Sequence, residues 1–122
     1  MRSLVEDALV AGLFDWVGEG QIMYGVINEL RIDDPDTRDI LVLGAVTVLL
    51  AEGYAIPTTY GEPWSVDTGE AIERIATTWL STKDGVSDIV HLDLTVKGRE
   101  RGEAIATREG WNAPPRPARW LE

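Results

Sequence analysis

Few residues in this chain carry reactive chemistry. His91 is its one histidine, and Asp93 stands two positions on. An imidazole next to a carboxylate is the pairing that acid–base catalysis uses, because the carboxylate orients the ring and stabilises its charged form. No nucleophile motif accompanies the pair, so it reads as two solvent-facing residues of a strand. Asp33, Asp34, Asp36 and Asp39 offer oxygen donors to a hard cation, but the run lacks the mid-loop glycine and the closing glutamate of an EF-hand, and it reads as a helix-capping loop. With one histidine and no cysteine, the ligand sets of zinc are missing. Gly18, Gly20 and Gly25 are not followed by the Gly-Lys-Ser/Thr of a phosphate loop. The expectation is a protein that is not an enzyme, with no catalytic, cofactor-binding or metal-binding residues.

The length of 122 residues suits one domain, and the 44% apolar and 26% charged residues are those of a globular protein. No apolar run is long enough to span a bilayer. Glu6 and Asp7 interrupt the segment where a secretory signal would be apolar, and the absence of cysteine suits a reducing compartment, so a cytoplasmic location and no membrane partner are expected. The net charge is −10, unevenly spread. All but four of the 21 acids precede Lys97, whereas Lys97, Arg99, Arg101, Arg108, Arg116 and Arg119 gather after Val96. An acidic body repels phosphate and favours a basic protein partner.

The elements that must position these residues follow from pattern and caps. Ser3 and Glu6 form a capping box ahead of an apolar series to Val17, which predicts helix 1. Ile22, Met23, Val26, Ile27 and Leu30 make the stripe of helix 2. Asp36 as N-cap and Glu52-Gly53 as terminator bracket helix 3, with a buried strand over Ile40–Leu50 as the competing reading of its valine-rich series. A short strand from Tyr54 to Tyr60 is confined to a sheet edge by Pro57, and a loop spans Gly61 to Ser65. Asp67 and Glu70 then open a helix whose stripe is Ile72, Ile75, Ala76 and Trp79. After a turn at Asp84-Gly85, the alternation from Ile89 to Val96 is a half-buried strand with Val90, Leu92, Leu94 and Val96 inward. Thr95 caps a polar helix from Lys97 to Ala106. Residues 1–109 are thus the domain, and 110–122, rich in proline with Trp111 and Trp120, are an extended tail.

This order, together with Leu50, Glu52 and Gly53 at the end of helix 3 and Leu94, Thr95 and Gly98 at the strand-to-helix junction, resembles the winged helix of MarR-type and PadR-type regulators. The resemblance implies an α+β fold: three N-terminal helices, a small antiparallel sheet, and a C-terminal helix. A helix inserted between the wing strands is a departure from the simple hairpin wing.

The resemblance also implies DNA binding through helix 3, where Thr37 and Arg38 with Lys97, Arg99 and Arg101 would be the contacts. Against that, helix 3 is mostly aliphatic where base-reading side chains should stand, and Met1–Val96 holds only Arg2, Arg31, Arg38, Arg74 and Lys83. The favoured expectation is therefore a protein-binding module of immunity, antitoxin-like, adaptor or DNA-mimic type, with Trp111, Arg116, Arg119 and Trp120 as partner contacts and a homodimer as one form it could take. A DNA-binding transcriptional regulator is the alternative.

Overall fold

The computed structural model describes residues 2–80, 90–110, 112 and 114. The expected Asp84-Gly85 turn and Trp111, Arg116, Arg119 and Trp120 of the tail lie outside these residues. The described chain is α+β, in the order α1 (Leu4–Ala11), α2 (Glu19–Tyr24), a π-helical turn (Gly25–Glu29), α3 (Pro35–Ala51), β1 (Ala55–Thr59), β2 (Glu62–Pro63), α4 (Thr68–Leu80), β3 (Val90–Leu94) and α5 (Val96–Arg108). Among the described residues, no helix is long and apolar enough to cross a membrane.

Helix α1 starts where its capping box predicts: Ser3 Oγ accepts from Glu6 N at 3.1 Å, and Glu6 Oε1 accepts from Ser3 N at 3.0 Å. It ends earlier than the apolar series suggests. A Cβ at Gly12 would lie 2.6 Å from Leu94 Cγ, so only glycine lets the chain pass the sheet there. The chain then turns, and Val17 exchanges two backbone hydrogen bonds with Leu92, at 2.9 and 2.8 Å. Leu13 and Val17 are buried by this turn, while Phe14 and Trp16 remain exposed. Similarly, α2 widens into the π turn, and the shift in register leaves Ile27 and Leu30 exposed although Ile22 and Val26 are buried.

Helix α3 is a helix and not a buried strand. Its N-cap is Asp34 and not Asp36: Asp34 Oδ2 accepts from Thr37 N at 2.9 Å, and Pro35 supplies a first-turn φ already set for the helix. Gly53, at φ +72°, turns the chain out of α3 into β1.

The sheet is antiparallel in the order β2-β1-β3. Pro57, expected on an edge strand, instead lies in the central one. The Pro57 carbonyl accepts from Trp64 N at 3.2 Å, so the side on which proline lacks a donor faces β2, whose pairing covers only Thr58 and Thr59. The Glu62–Pro63 pairing replaces part of the expected loop, and the Tyr60-Gly61 turn between the strands has φ of +49° and +82°, the signature of a two-residue hairpin. Val96, expected to face inward from the last strand, is the first residue of α5 and is exposed.

The core is one cluster between the sheet and the helices, with Leu9, Val46, Leu49, Ile75, Leu92 and Ile105 among its buried members. Asp67 caps α4 by accepting from Glu70 N at 2.8 Å, and its Ala71, Ile75 and Trp79 reach the core. The start of α5 closes the end of α3. Thr95 Oγ1 donates to the Gly53 carbonyl at 2.6 Å and accepts from Gly98 N at 3.1 Å, while Lys97 Nζ donates to the Glu52 carbonyl at 2.7 Å. One short segment therefore caps a new helix and satisfies carbonyls that the preceding helix leaves open.

Candidate functional site

Helix α3 is apolar on two sides. Val42, Ala45, Val46, Leu49 and Leu50 pack inward. On the outward side Ile40 is 69% exposed and Val48 42% exposed, with exposed Gly44 between them. These three are spaced by four residues, so they form one row along the helix. With Leu4 and Val5 of α1 they line an open groove of about 410 Å³, where Ser3 is the single polar contributor among the described residues. Scattered exposed apolar side chains are ordinary, but a helix that is hydrophobic all round is normally covered all round.

The basic residues expected to contact nucleic acid are not gathered on this face. Thr37 is exposed, and its Oγ1 donates to Asp34 Oδ2 at 2.7 Å as part of the helix cap. Arg38 is half-buried, with Nε donating to the Ile32 carbonyl and its guanidinium 3.9 Å from Asp33. Lys97 lies over the Tyr54 ring, 5.1 Å from its centre, and bonds the end of α3. Arg101 is exposed on α5. Elsewhere Arg108 pairs with Glu6 at 3.2 Å, and Arg74 with Glu70 at 3.0 Å.

Arg99 departs most from expectation. The resemblance implies a DNA contact at this residue, which needs an open side chain, yet Arg99 is 2% exposed. Gly98 and Gly102 let α5 lie against the backbones of Tyr54 and Leu9, which makes their side of α5 the inner one. The guanidinium donates to the carbonyls of Leu13 and Pro114, each at 3.2 Å, and stands 3.9 Å from Glu103. A planar fork of donors suits this work, since a buried cation must be satisfied by acceptors from several directions.

His91 is half-buried and not exposed, because its ring centre lies 5.2 Å from that of Trp16 at a tilt of 31°. Asp93 follows on the same side of β3. At the start of α2, burial pushes the Glu19 carboxyl above its usual pKa, and the negative charge of Asp39 adds to the effect. Among the described residues, no three His, Cys, Asp or Glu side chains come together in a way that could hold a metal ion.

The groove of Ile40, Gly44 and Val48 is the feature that sequence reasoning leaves unassembled. Its signal is present as a glycine in mid-helix within an all-round apolar series, but the part played by Leu4 and Val5 depends on how α1 and α3 meet. In comparisons with family models, curated proteins and solved structures, the chain finds no match.

Proposed function

We propose that this chain is a non-enzymatic, winged-helix-like module that acts by binding protein through the exposed face of α3. One observation carries the reading: the row Ile40, Gly44 and Val48 is apolar and open on the helix that a winged-helix regulator would lay against base edges. The element order supports the winged-helix part, with three helices, a hairpin of β1 and β2 with a two-residue tip, and a third strand running into α5. Helix α4 is the insertion. The net charge of −10 supports a protein target over a phosphate backbone. An immunity, antitoxin-like, adaptor or DNA-mimic role all fit this description.

The DNA-binding regulator is separated from this reading by a salt series. Purified protein mixed with fluorescent genomic DNA fragments is expected to show no binding even at low salt. Sequence-selective binding with a steep salt slope, lost in a Lys97→Ala and Arg101→Ala double variant, would instead make the chain a regulator that reaches phosphate through α5.

A further inference from the structure

We infer that the occupant of the α3 groove is a second copy of this chain, packed antiparallel across a two-fold axis at Gly44. This rests on reading α3 as a protein-binding face and names the partner.

The argument starts from the glycine. A glycine inside a helix is less stable than alanine, and it is retained where something must approach closely. Among the described residues, a Cβ at Gly44 would meet nothing within 4 Å, so no packing among them calls for a glycine there. Its neighbours on the exposed row are Ile40 four residues before and Val48 four residues after, each about 6 Å away along the axis. The row is therefore close to symmetric about Gly44, with a large aliphatic group on either side of a gap. A two-fold interface requires self-complementarity of this kind. When two such helices cross antiparallel at the gap, Ile40 of one lies beside Val48 of the other, and the glycines allow the backbones to come close.

The ends of the helix also suit this arrangement. The N-terminal end of α3 carries Asp33, Asp34 and Asp36, and the C-terminal end carries Glu52 with Lys97 bonded to its carbonyl. Antiparallel pairing brings the acidic end of one copy to the end of the other that holds Lys97, and it aligns the helix dipoles favourably. The 17 residues of α3 span about 25 Å, so the contact, with the start of α1 beside it, falls at the small end of specific interfaces. A weak dimer that dissociates at micromolar concentration is the form such a contact takes. Two bodies of net charge −10 repel, so added salt should strengthen the dimer, whereas it weakens any contact with DNA.

The test is sedimentation of the full chain across the micromolar range at low and high salt. The expected result is a reversible dimer favoured by salt and weakened at least about tenfold by Ile40→Asp, an aspartate at the contact being left unpaired. Gly44→Ala should act with opposite signs, raising the thermal midpoint of the dilute monomer and weakening the dimer. Because the chain has no cysteine, an equal mixture of Ile40→Cys and Val48→Cys chains gives a further readout: oxidation should link one variant to the other, while Thr107→Cys on the exposed side of α5 should not link copies.

A chain that stays monomeric at every salt, with the Ile40→Cys and Val48→Cys mixture linking no faster than Thr107→Cys, would overturn the self-pairing. The protein-binding reading would then still be judged by the DNA experiment. A monomer whose thermal midpoint falls on Ile40→Asp would mean that the groove is covered from within the chain, which ends both readings.

Discussion

Helices α3 and α5 both carry glycine in their interiors, yet the two helices use it in opposite ways. In α5, a Cβ at Gly98 would lie 1.9 Å from the Tyr54 carbonyl oxygen and one at Gly102 would lie 2.7 Å from that of Leu9. These glycines are accounted for by the chain's own packing, since they let a helix dock directly on backbone. In α3, the same substitution at Gly44 meets open space. A glycine that weakens a helix without improving any contact among the described residues directs attention to what else packs on that face.

The comparison is broken most severely at α5. Gly98→Ala forces the helix away from Tyr54 and should cost about 3 kcal/mol or more, read as a lower midpoint in chemical denaturation. Arg99→Met retains the bulk on the inner face of α5 but leaves the Leu13 and Pro114 carbonyls without the guanidinium, and should cost about 2–3 kcal/mol in the same measurement. At α3 the sign reverses: Gly44→Ala in dilute solution should stabilise the monomer by about 1 kcal/mol.

The smallest effect sharpens the contrast at the other end of α3. Glu19 Oε2 is buried and faces the charge of Asp39, and its folded pKa lies above the unfolded one. Between those values the folded state holds more protons, so stability falls as pH rises from the ordinary carboxylate range through the raised value. Glu19→Gln should remove this part of the pH dependence and give a slightly higher midpoint at neutral pH, with no gain in acid.

How much of this was legible depends on the distance over which each feature is decided. The Ser3–Glu6, Asp67–Glu70 and Thr95–Gly98 caps are local patterns, and all three form as the spacing predicts. The cap of α3 is displaced from Asp36 to Asp34 because Pro35 favours the first helical position. The end of α1 is not local, since Gly12 is dictated by Leu94, far along the chain. Arg99 is misplaced by sequence reasoning for the same reason: a polar helix gives no sign that two glycines will bring its arginine side against α1. For the site, the apolar character of α3 argues against base reading from the residues alone. The groove needs the meeting of α1 and α3, which no pattern within either helix contains.

The packing of α1 against α5 also has a consequence during synthesis. Arg108 pairs with Glu6, Arg99 holds the Leu13 carbonyl, and Gly102 lies against Leu9, so the first helix is completed by the last. At about 5–20 residues per second, α1 waits roughly 5–20 s for that partner to be made. For that interval α2 and α3 can already pack on α1, but the side of α1 that Gly102 approaches stays open until α5 emerges.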